Sequence, residues 1–125
     1  MRYLSLEEIL RLHFQIIQDY GGSDGVRDER RLEAVVAAPG QEVFGAMQYG
    51  SLHEKAAVYL RNIIGDHPFV DGNKRTATTV CGIFLLMNGK MFTATPKELE
   101  DFVVSIAVDQ LDIPAIAAWL EAHVR

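Results

Sequence analysis

The stretch "HPFVDGNKRTA", His67 to Ala77, places a histidine, an aspartate, a glycine, an asparagine, a lysine and an arginine within nine positions of an otherwise apolar part of the chain. Its flanks decide the fold. Before it, Leu52, Ala56, Tyr59 or Leu60, and Ile63 recur at helical spacing; after it, Ala77, Val80, Cys81, Phe84 and Leu85 do the same. The spacing predicts one helix from about Leu52 to Gly65 and a second starting near Lys74. The polar stretch therefore runs straight into a helix N-terminus, where unpaired N–H groups and the positive dipole end suit phosphate oxygens.

Working outward, three capping boxes appear. Ser5-Leu6-Glu7-Glu8, Ser51-Leu52-His53-Glu54 and Thr95-Pro96-Lys97-Glu98 each set a hydroxyl three residues before a glutamate. Pro96 adds a preset φ at a first helical position. Asp28 and Asp112 suit two further caps. Gly21-Gly22, Pro39-Gly40 and Asn88-Gly89 are the matching stops. Only "GKMFTAT" and "EVFGAMQYG" read as extended or irregular. The expectation is an all-α bundle of about six helices.

A chain of 125 residues fits one domain, 1–125, with a single core. Apolar residues make up 49% and charged residues 23%, an ordinary soluble balance. The net charge of −5 argues against direct nucleic acid binding, which needs surplus Lys and Arg, although Lys74 and Arg75 could form a small basic site. The single cysteine, Cys81, lies in the apolar run "TTVCGIFLLM" and reads as a buried small hydrophobe. It cannot form an internal disulfide, which suits a reducing, cytoplasmic setting. No stretch approaches the ~20 apolar residues of a membrane span, and "MRYLSLEEIL" carries charges too early for a secretory signal.

Each polar residue of the central stretch has a definite use. Gly72 and Asn73 tolerate the dihedrals of a backbone anion nest. Arg75 can fork across two phosphate oxygens. Asp71 is a hard oxygen ligand suited to Mg2+. His67 is the nearby side chain whose ordinary pKa makes it a base at neutral pH. Phe69 is apolar and anchors the loop in the core. Singly these would read as turn and solvated surface; their combination at a helix start is far more specific.

"HPFVDGNKR" resembles the active-site motif of the Fic family, His-Pro-Phe-x-(Asp/Glu)-Gly-Asn-Gly-Arg-x-x-Arg, and is closer to that of its death-on-curing (Doc) branch. "GGSDGVRDERRLEAVVAAPGQEVFG", Gly21 to Gly45, extends the similarity over nearly the whole chain. The resemblance implies a toxin of a toxin–antitoxin pair that uses ATP and Mg2+. It implies that His67 takes the proton from a target hydroxyl and Asp71 holds Mg2+ against the phosphates. Gly72 and Asn73 would form the nest, and Arg75 would bind phosphate.

Two positions depart from the general Fic pattern. Lys74 stands where most members have a second Gly, and Thr78 where they have a second Arg. Doc-type proteins share both departures and are associated with transfer of the γ-phosphoryl group, which favours a protein kinase. By resemblance the target is a threonine of elongation factor Tu. The alternatives are an AMP transferase and a non-catalytic module that holds a nucleotide or partner. No inhibitory (Ser/Thr)-x-x-x-Glu-(Gly/Asn) pattern is present. The resemblance therefore implies a separate, Phd-like antitoxin whose C-terminal segment folds on the toxin. "EVFGAMQYG", around Phe44, falls where Fic proteins place a flap that aligns the target. His13 and Trp119 read as structural, and His53 and His123 as solvated.

Overall fold

The computed structural model describes residues 1–125. All three capping boxes form as reciprocal pairs. Ser5, Ser51 and Thr95 accept from the backbone N–H of Glu8, Glu54 and Glu98 at 3.2, 3.1 and 3.1 Å. The glutamates accept in return from the cap N–H groups at 2.9, 3.3 and 2.9 Å. These caps open α1 (Leu6–Tyr20), α3 (Leu52–Asp66) and α5 (Pro96–Val108). Asp28 and Asp112 cap α2 (Glu29–Ala37) and α6 (Ile113–His123) through the N–H groups of Arg31 and Ala115. The sixth helix, α4 (Asn73–Met87), is the one without a side-chain cap.

The helix stops fall as expected at Gly21 and Asn88, while the second helix tightens into a 3-10 turn over Ala38–Gly40 before it ends. "EVFGAMQYG" forms a two-stranded antiparallel hairpin, β1 (Glu42–Val43) with β2 (Ala46–Met47), turning at Phe44 and Gly45. "GKMFTAT" is extended and ties the chain end down: Met91 and Arg125 exchange backbone hydrogen bonds at 2.8 and 3.0 Å. The all-α expectation therefore holds, with this small hairpin added.

Helix α3 is the central element and packs against α2, α4, α5 and α6. Eight of its residues are buried, among them Ala56, Ala57, Tyr59, Leu60 and Ile63, which explains why its apolar character runs almost around the helix. The face of α4 predicted from spacing (Ala77, Val80, Cys81, Phe84, Leu85) is wholly buried against it. Two polar groups in this core are matched. Tyr59 Oη accepts the N–H of Leu4 at 3.2 Å. Lys55 Nζ, 1% exposed, donates to the Pro39 carbonyl at 2.8 Å and thereby ties the 3-10 turn before the hairpin to α3.

His123 is not the solvated position expected. It is half-buried, stacks on Trp119 with ring centroids 3.9 Å apart, and its Nδ1–H donates to the Trp119 carbonyl at 2.8 Å. A one-turn backbone bond and an aromatic neighbour draw it in. His53 is likewise half-buried. No helix is long and apolar enough to cross a membrane.

Candidate active site

The loop 67–72 joins the C-terminus of α3 to the N-terminus of α4. Its anchor is Phe69, fully buried as expected, with its ring stacked on that of His13 at 3.8 Å and nearly parallel. On the backbone side, Asn73 grips Phe69 twice: Oδ1 accepts the Phe69 N–H at 3.1 Å and Nδ2 donates to the Phe69 carbonyl at 3.0 Å. The loop also pairs with the chain before α2. Arg27 and Asp28 donate their N–H groups to Pro68 O, and Val70 donates to Gly25 O. The loop is thus tied to the rest of the fold by hydrogen bonds along its length.

His67 closes α3 in a left-handed conformation, φ 48° and ψ 61°. A non-glycine residue there costs about 1–3 kcal/mol and persists only where its surroundings hold it. Here two arginines do so. Arg27 Nε donates to His67 O at 2.7 Å, and Arg27 and Arg31 each donate to Asp66 O at 2.8 Å. The guanidinium groups also satisfy carbonyls that the end of α3 leaves free. The imidazole of His67 is exposed and makes no hydrogen bond within the chain.

Asp71 is exposed, and its carboxylate is oriented by Ser23, whose N–H donates to Oδ2 at 3.2 Å. Gly22 makes this approach possible, since a Cβ there would lie 3.1 Å from Asp71 Oδ2 and 3.3 Å from Ile17 Cδ1. Gly72 follows at φ 76° as the N-cap of α4, and a Cβ on it would meet Ile17 Cδ1 at 3.2 Å. With no capping side chain, the N–H groups of Asn73, Lys74 and Arg75 have no acceptor within the protein. A helix start of this kind, with Asp71 before it and two cations on its first turn, has the chemistry to hold an anion bridged to a hard cation.

Lys74 and Arg75 are exposed and face an open groove of about 530 Å3 between α1, α4 and α5, where Ile16, Leu99 and Val103 supply apolar walls. The Arg75 guanidinium lies over the Tyr20 ring, 3.9 Å from its centroid. Thr78 donates its hydroxyl to Lys74 O at 3.0 Å, back into its own helix. Neither His67 nor Asp71 lines this groove. Phe44 stands at the tip of the hairpin, fully exposed at φ 51°, and no hydrogen bond joins the hairpin to the 67–75 loop.

The sequence stretch alone pointed to His67, Phe69, Asp71, Gly72, Asn73, Lys74 and Arg75, and the fold keeps them on one loop and helix turn. It did not point to Ser23, Arg27, Arg31 or the loop-facing role of His13. These lie 35 to 58 positions away from their partners, and no local pattern links them.

Comparison with known proteins identifies the family. The model described as "Fic/DOC family" matches residues 3–85. The chain is 39% identical over 103 residues to "Toxin Doc" of Mycolicibacterium smegmatis (strain ATCC 700084 / mc(2)155), covering 81% of this chain and 79% of that protein. It is 35% identical over 120 residues to "Protein kinase doc" of Escherichia phage P1, covering 96% and 94%. The chain belongs to the Fic/Doc family, in its Doc-toxin branch.

Proposed function

We propose that residues 1–125 form one Doc-type domain that acts as the toxin of a toxin–antitoxin pair. It transfers the γ-phosphoryl group of ATP to a protein hydroxyl, a threonine of elongation factor Tu, and so blocks translation. One observation carries the reading: an uncapped helix start, with free N–H groups at Asn73, Lys74 and Arg75, lies directly after a solvent-facing imidazole and an oriented carboxylate.

His67 accepts the proton of the target hydroxyl as its oxygen forms the new bond to the γ-phosphorus, and the bond to the β–γ bridging oxygen breaks to release ADP. Proton acceptance of this kind is worth about 10²–10⁴-fold in rate. Gly72, Asn73, Lys74 and Arg75 hold the phosphates and neutralise charge that builds on the transferring group. The residues present fit Mg2+, because one carboxylate beside phosphates is the usual protein share of such a site. Asp71 would hold that ion, and the ion would supply charge neutralisation at the phosphates. Thr78 turns its hydroxyl to Lys74 O and offers no second fork to the far phosphates, which supports γ-phosphoryl over AMP transfer.

The hairpin serves as the flap that aligns the target chain, with Phe44 and the unpaired strand edges as its contacts. The apolar groove between α1, α4 and α5 receives the folding C-terminal segment of a Phd-like antitoxin. That segment would lie against Ile16, Leu99 and Val103 and cover Lys74 and Arg75.

Incubation with elongation factor Tu and γ-labelled ATP tests the reading. Label on a threonine, lost in His67→Ala, is the expected result. Label from α-labelled ATP instead would make the chain an AMP transferase, and growth inhibition unchanged in His67→Ala would make it a non-catalytic binding module.

A further inference from the structure

The His13 side chain is 2% exposed on α1, far in sequence from the loop it meets. Its ring lies flat on Phe69, so it cannot turn without losing that stack. Nε2 is 2.8 Å from the backbone carbonyl of Asp71. A carbonyl only accepts, so Nε2 carries the hydrogen and donates. On the far side of the ring, Nδ1 lies 3.6 Å from Asp24 Oδ1. One side chain therefore links the buried anchor of the loop, Phe69, to the peptide that follows Asp71.

The consequence is geometric. The peptide joining Asp71 to Gly72 is trans, as all in the chain are, and a trans peptide points its C=O and N–H in opposite directions. Holding the Asp71 carbonyl toward α1 turns the Gly72 N–H away from it. The same bond sets the rotation of the backbone that carries the Asp71 carboxylate, whose Oδ2 is held separately by the Ser23 N–H. Main chain and side chain of Asp71 are thus held from two independent segments.

We infer that His13 is a positioning residue: through its Nε2–H to Asp71 O it orients the Asp71–Gly72 peptide, and with it the carboxylate and the amide that meet the nucleotide. The inference rests on the nucleotide-binding reading of this loop. His13 touches no substrate and acts through Asp71 and Gly72.

The test compares His13→Leu, which keeps an apolar filler against Phe69, with His13→Gln, whose Nε2 can reach the same carbonyl. His13→Met replaces the leucine variant if that one does not fold. Two readouts are taken on the full chain. In 15N–1H NMR spectra without ligand, the Gly72 and Asn73 amide signals shift or broaden in His13→Leu and return in His13→Gln. In steady-state transfer, His13→Leu raises the KM for ATP with Mg2+ about tenfold and lowers kcat less than threefold, and His13→Gln recovers most of that loss. Native amide positions and an unchanged KM in His13→Leu would overturn the inference. So would a His13→Gln variant as impaired as His13→Leu, since the ring stack alone would then matter. If the parent chain transfers no phosphoryl group, the kinase reading fails, and the amide signals still decide the role of His13.

Discussion

Asn73 closes a two-bond ring with the main chain of Phe69, accepting its N–H at 3.1 Å and donating to its carbonyl at 3.0 Å. The residue that opens α4 therefore also fixes the loop that precedes it. Its side chain is committed to the protein, which leaves its backbone N–H as the group free for a ligand. A side-chain amide carries a donor and an acceptor side by side, which matches the N–H and C=O of one residue.

Asn73→Asp keeps the acceptor and loses the donor, and Asn73→Ala loses both. Each unsatisfied buried group costs about 1–3 kcal/mol, so the expected order of stability is Asn, then Asp, then Ala. Urea unfolding gives that order. Transfer activity should fall more steeply, about 10²-fold for Asn73→Ala, because small displacements of a site are costly.

Arg27 holds His67 O and Asp66 O with two nitrogens of one planar group. Lysine has no such fork. Arg27→Lys should keep the charge yet release the left-handed turn at His67, lowering kcat about tenfold or more with a smaller effect on the KM for ATP. An equal fall of kcat in Arg27→Lys and Arg27→Ala, against an unchanged value in Arg31→Lys, would place the effect in the His67 carbonyl bond itself.

Gly22→Ala introduces a methyl 3.1 Å from Asp71 Oδ2 at a backbone φ of 112°. Both the contact and the conformation oppose it. A loss of about 1–3 kcal/mol is expected from the crowding, together with a raised Mg2+ requirement as Asp71 is displaced. Calorimetry and a Mg2+ titration of the transfer rate measure the two effects.

Alkaline conditions should weaken the fold. Burial pushes the Cys81 thiol above its ordinary 9.0 and pushes the Tyr59 hydroxyl from 10.0 to about 12. The folded chain keeps protons that the unfolded chain releases, so this stability is complete below pH 9. It declines above pH 9 through Cys81 and above pH 10 through Tyr59 as well, the latter's share being gone past about pH 12. Each such proton contributes a slope of up to about 1.4 kcal/mol per pH unit. Urea midpoints from pH 8 to 11 should fall accordingly, and Tyr59→Phe should flatten the curve above pH 10.

The helix starts were legible because a cap is a local device. Ser5, Ser51, Thr95, Asp28 and Asp112 each act on the N–H group three residues on, so the pattern and the structure coincide. The same holds for the α4 face, where burial follows the 3.6-residue period. His123 was misread because its apparent polarity hid a one-turn bond and the Trp119 stack.

The candidate site divides along the same line. The nine positions from His67 to Arg75 are contiguous and run into a helix start, so the sequence alone puts them on one loop and the first turn of α4. Tertiary structure alone decided what holds them: His13 and Ser23 on Asp71, Arg27 and Arg31 on the end of α3, and Gly22 making room beside the carboxylate. Caps and periodicity are written within one turn of chain. A hydrogen bond between residues dozens of positions apart exists only once packing of α1 and the 21–28 segment has brought them together.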